Sequence, residues 1–258
     1  MYKFTVLRYF LELSYNGSAY HGWQRQPNAS SIQQVLEEAL STLLRTETII
    51  VGAGRTDTGV HAKQLFAHFD AEIAAMDANN LVFRLNRFLP NDIVVTAIHP
   101  VKHDAHARFD ATSRSYEYHI TQRKDPFDSE FAYCFTLSLD IEAMNTAAKM
   151  LLTHTNFKCF SRSKTDVKTF DCTITEAFWE QHNHKLIFYV SANRFLRNMV
   201  RAMVGTLLDI GTGKYGLSDF QSILESQDRT KAGSSAPAQG LFLTQVRYPN
   251  TIFAPREK

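Results

Sequence analysis

The positions of apolar side chains along the chain predict alternating strands and helices. Residues 4–14 are mostly apolar and lead into a turn at residues 15–17, which is typical of a strand that ends in a tight connection. Ser31 and Gln34 then form a capping box in front of apolar residues with helical spacing. The resulting stripe, which predicts a helix, consists of Ile32, Val35, Leu36, Ala39, Leu40, Leu43 and Leu44. Strand-like alternation returns at residues 64–69.

The middle of the chain continues this order of elements. A shorter helix is predicted near residues 79–88 and ends before Pro90. The segment at residues 99–106 is rich in histidine and proline, and we expect it to join two halves of the chain. Beyond that segment, the positions of three apolar residues predict another strand. These alternating residues are Tyr116, Tyr118 and Ile120.

The second half of the chain loosely repeats the first. Asp140 is placed to cap a helix that carries four apolar residues on one face. These four are Met144, Ala147, Ala148 and Leu151. Residues 172–180 and 185–192 are rich in strand-forming side chains and flank residues 181–184, a predicted hairpin turn.

A longer apolar stripe predicts a helix near residues 194–210, which Gly211 and Gly213 would stop. Its inward-facing positions are Phe195, Leu196, Met199, Val200, Met203, Val204, Leu207 and Leu208. A short helix at about residues 218–226 and a strand at 241–246 complete the predicted elements.

The order of these elements favours an α+β protein. Strand–helix–strand order occurs in both halves, so we expect two similar α/β lobes with antiparallel or mixed sheets. The predicted division is an N-terminal lobe of residues 1–105 and a C-terminal lobe of residues 106–258. A cleft between two such lobes is where a ligand would bind.

Composition limits the classes of protein that fit. The chain has 258 residues, of which 44% are hydrophobic and 21% charged, as is ordinary for a globular protein. No apolar run approaches the roughly 20 residues of a membrane helix, and the first residues lack the features of a signal peptide. The three cysteines are widely spaced and fit no metal pattern, which favours a reducing cytoplasm. The net charge of +2 neither requires nor excludes a nucleic-acid partner.

Residues 52–62 carry the strongest chemical signal. They place one carboxylate, Asp57, between glycines at positions 52, 54 and 59, with Arg55 two residues before it. Because glycine has no Cβ and tolerates positive φ, such a loop can bend sharply and let a large ligand approach its backbone. The other interpretation is a surface turn in which Asp57 only caps the local backbone.

Two better-known motifs fit this segment poorly. A dinucleotide fingerprint needs its third glycine sooner and a helix afterwards, whereas residues 64–69 alternate like a strand. Asp57-Thr58-Gly59 is the tripeptide of aspartic proteases, in which two carboxylates share one proton. The chain contains only one such tripeptide, so the protease interpretation requires a homodimer to supply the second carboxylate.

Basic and aromatic residues form a second pattern. Arg194, Arg197 and Arg201 fall at i, i+3 and i+7 of the helix predicted near residues 194–210. Such a stripe is either a solvated surface or a set of phosphate contacts, since arginine suits phosphate forks. Further basic and aromatic residues gather in predicted loops, at 23–26, 108–109 and 114–116. This mixture suits RNA, where cations hold the backbone and rings stack on unpaired bases.

Several segments resemble, in order, the motifs of the TruA family of tRNA pseudouridine synthases. The catalytic motif of that family is similar to Gly54-Arg55-Thr56-Asp57-x-Gly59-Val60-His61. The remaining matches extend along nearly the whole chain and are Tyr15-x-Gly17 followed by Gly22-Trp23-Gln24-Arg25-Gln26, Leu89-Pro90-x-Asp92-Ile93, His106-Ala107-Arg108-Phe109, Arg114-x-Tyr116-x-Tyr118, Phe195-Leu196-x-x-Met199-Val200-Arg201 and Ala236-Pro237-Ala238-x-Gly240-Leu241. Small departures are Asn16, where an acidic residue is usual, and Cys159, where a small hydroxyl residue often stands.

The resemblance implies the pseudouridine synthase fold and the isomerisation of uridine to pseudouridine at positions 38, 39 and 40 of the tRNA anticodon stem-loop. It implies no metal and no other cofactor. By the family match Asp57 is the essential carboxylate, and Arg201 holds the position that pairs with it in a basic cleft between the lobes. The family usually works as a homodimer, with tRNA lying across both subunits.

The resemblance also assigns substrate-binding roles. Tyr116 would pack on the target uracil or relay a proton through its hydroxyl, and Arg55 would fill the stack that the nucleotide leaves. Arg108, Arg194 and Arg197 are candidates for phosphate contacts. His61 is expected to brace the catalytic loop, and His103-x-x-His106 lacks the third clustered ligand of a metal site. Besides the protease, the alternative is a tRNA-binding or folding module without catalytic activity on the same scaffold.

Overall fold

The computed structural model describes residues 7–72, 78–162 and 167–253, so residues 4–6 of the first predicted strand lie outside it. The chain divides into two compact units. The first unit comprises Met1–Thr112 together with Leu243–Lys258, and the second comprises Ser113–Phe242. Each unit combines strands with helices, which confirms the α+β class. The division at residues 105 and 106 stays a prediction.

The predicted helices and strands are present in order, and three further strands, at residues 51–52, 93–100 and 133–134, were not predicted. In chain order they are β1 (Leu7–Tyr15), α1 (Ile32–Leu44), β2 (Val51–Gly52), β3 (His61–Ala71), α2 (Ala78–Phe88), β4 (Ile93–Pro100), β5 (Ser113–Thr121), β6 (Tyr133–Cys134), α3 (Ile141–Met150), β7 (Ile174–His182), β8 (Lys185–Ala192), α4 (Met199–Gly211), α5 (Leu217–Ser226) and β9 (Leu241–Arg247). Short 3-10 turns occur at Leu151–Thr153, Lys158–Phe160, Arg229–Lys231, Ala238–Gly240 and Asn250–Ile252. In the described part of the chain, none of the helices has the length and apolarity needed to cross a bilayer.

In the first unit, β1 lies between β4 and β3 and is antiparallel to both. β2 pairs with the far side of β3, and β9 is also a neighbour of β3. One sheet face is covered by an aromatic cluster in which rings from two strands meet rings from the end of the chain. Ring centroids of the contacting pairs in this cluster lie 5.0 to 6.5 Å apart, as is favourable for edge-to-face packing. The cluster consists of Phe10, Phe66, Tyr248 and Phe253.

Helix α1 confirms its predicted start, because the Ser31 Oγ accepts the Gln34 N–H at 3.3 Å. Its apolar stripe contains one residue that periodicity does not predict to be inside. Glu37 is only 5% exposed, and its carboxylate accepts hydrogen bonds from the Ile50 N–H at 3.2 Å and the Arg25 guanidinium at 3.0 Å. A buried carboxylate is tolerated when such partners satisfy it.

The second unit also consists of an antiparallel sheet with helices packed on it. β5, β8 and β7 form an antiparallel sheet in that order, and β6 adds two residues parallel to β5. In each unit the side-chain amide of an asparagine holds a helix against an edge strand. It donates to the main-chain carbonyl of one strand residue and accepts the N–H of the same residue. Asn86 of α2 does this with the main chain of Val95, at 2.8 Å in both directions. Asn145 of α3 does it with Trp179, at 3.1 and 2.7 Å.

The predicted start of the helix near residues 194–210 is wrong. α4 begins only at Met199, because Asn198 adopts the left-handed conformation at φ 66°, which a right-handed helix cannot include. Arg194 and Arg197 therefore lie in a loop between β8 and α4, and they do not form a helical stripe with Arg201. The apolar spacing was misleading because Phe195 packs from that loop. The predicted stop is confirmed, since α4 ends at Gly211.

The segment at residues 99–106 was expected to join two halves, but it belongs to the first unit. Its central residue, Val101, donates its N–H to the Arg8 carbonyl at 3.1 Å and forms a bridge with Phe253. Beyond it, the buried imidazole of His68 on β3 accepts the Ala107 N–H through Nδ1 at 3.1 Å. Burial, the largest cause, lowers the pKa of His68 to about 4.

This buried imidazole predicts a specific loss of stability in acid. The pKa of His68 in the folded protein lies below its ordinary value of 6.5, so the unfolded chain binds more protons between about pH 6.5 and pH 4. Stability should fall as the pH falls through that window. In the variant His68→Gln, which keeps an acceptor for Ala107, the unfolding free energy should change less over that window, by about 2–3 kcal/mol. Urea titrations of both proteins at each pH measure the difference, and equal losses would refute it.

Candidate active site

Asp57 lies in the sharply bent connection between β2 and β3. The Val60 N–H donates to the Asp57 carbonyl at 3.2 Å, which closes a turn around the acidic residue. Gly59 within that turn has φ 77°, a conformation that favours glycine. Asp57 is half-buried, whereas Arg55 is exposed. The loop thus has the backbone geometry that its glycines predicted.

Residues 15–23, which we call the clasp, hold this loop from one side. Gly22 has φ 88°, and a Cβ at this position would lie only 2.4 Å from the Thr56 carbonyl oxygen. The Trp23 N–H donates to the same oxygen at 3.2 Å, and the Tyr15 hydroxyl bonds the Thr56 Oγ1 at 2.8 Å. The Trp23 ring packs so closely on Gly52 that a Cβ there would lie 2.5 Å away. The residue directly before Asp57 is therefore fixed through both its main chain and its side chain.

The clasp also holds the residues that follow Asp57. The Gly17 N–H donates to Nδ1 of His61, a residue only 1% exposed, at 3.1 Å. A Cβ at Gly17 would lie 2.0 Å from the Val60 carbonyl oxygen, so the two main chains are in direct contact. His61 thus braces the loop in the way its position predicted.

Further contacts connect the clasp to the rest of the first unit. The carbonyls of Gly22 and Trp23 accept the first two N–H groups of α1, from Ile32 at 3.2 Å and Gln33 at 3.0 Å. The first N–H groups of a helix lack partners within it, so these bonds stabilise both elements. The Tyr20 hydroxyl donates to Asp92 at 2.7 Å.

Tyr116 stands on β5 in the second unit and is half-buried. Its ring meets Phe195 edge-on, with the ring centroids 5.1 Å apart. On the same strand, Arg114 donates to the Asn193 carbonyl at 2.9 Å, which connects the start of β5 to the loop that carries Arg194 and Arg197. The structure therefore brings two sequence-predicted segments of the second unit together, the strand that carries Arg114 and Tyr116 and the loop that carries Arg194 and Arg197.

Arg201 lies in the first turns of α4 and is fixed by the segment at residues 233–240. The Ala236 carbonyl accepts Nε of Arg201 at 2.7 Å, and the Ala236 N–H donates back to the Arg201 carbonyl at 2.9 Å. The positive charge of Arg201 also acts on Tyr118, whose hydroxyl donates to Pro237 at 2.7 Å. Burial raises the pKa of Tyr118 far above its usual range, and Arg201 opposes that rise.

The segment at residues 233–240 is itself packed tightly on α4. A Cβ at Gly205 would lie 1.7 Å from the Ser234 carbonyl oxygen, so helix and segment touch through their main chains. The Gly233 N–H donates to the Thr206 hydroxyl at 2.9 Å, and Asn198 donates to the Ser235 hydroxyl at 2.6 Å. The orientation of the Arg201 guanidinium thus depends on main chain far away in sequence.

The other predicted cations lie on the surface. Arg108 and Arg197 are exposed and Arg194 is half-buried. Arg108 belongs to a tight turn in the first unit, whereas Arg194 and Arg197 belong to the second.

Within the residues that the structure describes, one group of side chains has the composition of a metal site. Asp125, Asp128 and His184 have ligand atoms within 4.8 Å of one another. The ammonium of Lys185 already pairs with Asp128 at 2.7 Å, and a metal cation would have to displace or overcome it. His106, in contrast, uses Nδ1 to accept the Arg108 N–H at 3.1 Å.

Sequence reasoning identified His61 as a brace of the Asp57 loop but missed the other residues that position Asp57 and Arg201. The sequence places Tyr15 and Asp92 in motifs and gives Tyr20 no distinguishing feature, and only the fold joins these residues to the loop. One signal was available, because glycines 17 and 22 stand in motifs before the helix and have no local reason to be glycine. The segment around Ala236 gave a comparable signal through its own glycine and proline.

Comparisons with known proteins show the family of this chain. A family model described as tRNA pseudouridine synthase matches residues 13–110 and 147–249. A protein of Parabacteroides distasonis named tRNA pseudouridine synthase A is 52% identical over 246 residues, which cover 95% of this chain and 98% of that protein. A protein of the same name from Porphyromonas gingivalis is 52% identical over 251 residues, 96% of this chain and 100% of its own. The protein named tRNA pseudouridine synthase A 2 of Clostridium perfringens is 40% identical over 240 residues, 92% and 98% of the two chains. The chain therefore belongs to the tRNA pseudouridine synthase family, as the order of its motifs predicted.

The close contact at Gly22 predicts a large effect of a single methyl group. Gly22→Ala should lower the unfolding free energy by about 2 kcal/mol or more, because alanine is strained at φ 88° and its Cβ meets the Thr56 carbonyl. Gly54→Ala is the matched control, since a Cβ there would meet no atom of the described residues within 4 Å. Its unfolding free energy should stay within about 1 kcal/mol of the wild type. Equal urea midpoints for the two variants would contradict this account of the clasp.

Proposed function

We propose that this protein isomerises uridine to pseudouridine at positions 38, 39 and 40 in the anticodon stem-loop of tRNA. The observation that carries the proposal is the Asp57 loop, which combines the motif of its family with a backbone held on both sides. The names of the relatives support uridine isomerisation in tRNA, and the three positions are the finer part of the proposal.

The reaction rearranges bonds within one nucleotide. The bond from N1 of uracil to C1′ of ribose breaks, the base turns while it stays bound, and C5 bonds to C1′. The proton on C5 leaves and N1 gains one, so nothing is consumed. The residues therefore need to supply a charged group, a way to expose the base and a pocket that retains it. This balance is why no cofactor is proposed.

Asp57 would act either by adding to C6 of the uracil or by acting at C1′ of the ribose. A carboxylate can attack an electrophilic carbon and leave again, which divides one difficult step into two easier ones. The two candidate carbons are C6 of uracil and C1′ of ribose. A group that is already held in place loses little conformational freedom when the substrate binds, and effective concentration rises accordingly. The clasp supports this role because it fixes the residues on either side of Asp57.

Arg201 is proposed to pair with Asp57 and to keep it charged when RNA excludes water. Arginine suits such a role because its planar guanidinium remains protonated and binds carboxylates with two donors. The bond from Nε to the Ala236 carbonyl supports the proposal, since it orients the guanidinium plane. The same family match proposes that Tyr116 packs on the target uracil or relays the C5 proton through its hydroxyl.

The remaining cations are proposed to contact RNA. Arg55 is exposed beside Asp57 and would fill the space that the extruded nucleotide leaves, which offsets part of the few kcal/mol of extrusion. Arg108, Arg194 and Arg197 would contact phosphates. We further propose a homodimer that binds the anticodon arm of tRNA in the cytoplasm. The free thiols of Cys134, Cys159 and Cys172 support a reducing compartment.

A second candidate is a tRNA-binding or folding module without turnover. Such a module would not need Asp57, Tyr116 and Arg201 together, because the family match assigns all three to the reaction. The two candidates differ in one measurable property, since the module would bind tRNA in a salt-sensitive way and convert no uridine.

Substitution of Asp57 tests the proposed function. With tRNA that carries tritium at C5 of its uridines, the wild type should release tritium, and Asp57→Ala and Asp57→Asn should release it at least about a thousandfold more slowly. Asparagine is the matched control for shape, because it removes only the charge. Both variants should bind tRNA within a few fold of the wild type. Undiminished release by Asp57→Ala would refute the role of Asp57, and an inert wild type that binds tRNA would favour the module.

A further inference from the structure

A tight turn at residues 106–110 of the first unit presents an aromatic ring to solvent. Phe109 is 73% exposed, and its neighbour Arg108 is exposed as well. A single exposed phenylalanine is ordinary, and Phe127 is even more exposed, so what distinguishes Phe109 is the cation and the imidazole beside its ring. The catalytic roles proposed above do not involve this ring.

Hydrogen bonds hold the main chain of this turn in place and thereby keep Phe109 directed outward. Ala107 is fully buried, its N–H donates to His68, and its carbonyl accepts the Tyr248 hydroxyl at 2.6 Å. The Asp110 carboxylate accepts the His106 N–H at 2.7 Å, and the Asp110 N–H donates to the His106 carbonyl at 3.1 Å. A base that binds here would meet a surface that needs little reordering.

The ring of Phe109 is tilted against that of His106, which in turn meets the ring of His68 edge-on. The centroid of the His106 ring lies 4.2 Å from that of Phe109 and 4.6 Å from that of His68. The Arg108 guanidinium carbon lies 5.7 Å from the centroid of Phe109. Burial, the largest cause, lowers the pKa of His106 and so favours its neutral ring. The turn at residues 106–110 carries one cation, Arg108, and one carboxylate, Asp110, which is bonded to the His106 N–H.

We propose that this turn is a nucleobase-binding subsite, in which an unpaired base of the bound RNA stacks on Phe109 and Arg108 binds the adjoining phosphate. The inference rests on the proposed function, because it takes RNA as the substrate. An exposed ring and a cation on one rigid turn match the two parts of a nucleotide, a planar base and an anionic phosphate. Duplex RNA offers the phosphates but keeps its base faces stacked, so the subsite selects unpaired nucleotides.

A second copy of this chain is the competing occupant. Specific protein interfaces bury a patch of about 800 Å² on each partner and are depleted of charge at their centre. One ring with a cation beside it and a carboxylate in the same turn fits that description poorly. We therefore assign the turn to RNA and treat self-association as an outcome of the test.

The experiment compares four variants of the full chain, one of them Arg108→Gln, on two RNA probes. Phe109→Leu removes the aromatic face, and Phe109→Trp keeps one. Phe127→Leu is the matched control, because Phe127 is 88% exposed but lies in the second unit. The probes are an unmodified tRNA transcript and a fully paired RNA duplex that lacks loops. Dissociation constants are measured at several salt concentrations, and the oligomeric state is measured without RNA.

Phe109→Leu should weaken tRNA binding about tenfold or more, since one base–aromatic stack is worth that much. Its affinity for the duplex should stay within twofold of the wild type, and Phe109→Trp and Phe127→Leu should bind both probes like the wild type. Arg108→Gln should reduce the slope of log affinity against log salt by about one.

Unchanged tRNA affinity in Phe109→Leu would overturn the subsite, and so would equal weakening for both probes. A changed oligomeric state without RNA would assign the ring to self-association and also overturn the proposal. Tritium release by the wild type, measured in the same preparation, separates these outcomes from failure of the proposed function. Active wild type with no effect at Phe109 refutes the subsite alone.

Discussion

The contact between the main chains of Gly22 and Thr56 is the constraint on which the catalytic loop depends. A Cβ at position 22 would lie 2.4 Å from the Thr56 carbonyl oxygen, closer than two such atoms can approach. Because glycine fits there, Trp23 can donate its N–H to that oxygen while its ring packs on Gly52. The loop is consequently held at its start and next to Asp57. A carboxylate that must approach a reacting carbon benefits from this fixed geometry.

In the second unit, a close contact between main chains at a glycine likewise fixes Arg201. Gly205 lets the main chain at Ser234 touch α4, and that contact places the Ala236 carbonyl within reach of Arg201. In each unit a glycine, Gly22 or Gly205, lets the main chain of another segment come into direct contact. That main chain then fixes the residue with the proposed role. The glycines are thus as much a part of the candidate site as the charged side chains.

The sequence predicted the elements and the Asp57 loop well, because both depend on local patterns. α1 was evident from the Ser31 cap and its apolar stripe, and the loop from its own glycines. α4 began later than predicted because Asn198 takes a left-handed conformation that apolar spacing does not reveal. The burial of Glu37 was missed for a related reason: its partners come from Arg25 and Ile50, and only the fold brings them there.

Amide hydrogen exchange gives the most direct test of the claim that the clasp holds the Asp57 loop as one unit with the sheet. The Trp23 N–H bonds Thr56 and the Gly17 N–H bonds His61, whereas the Leu11 N–H lies in the centre of β1. The account predicts that Trp23 and Gly17 exchange as slowly as Leu11, because all three open only when the first unit unfolds. Exchange of Trp23 and Gly17 at nearly unprotected rates, while Leu11 stays protected, would contradict it.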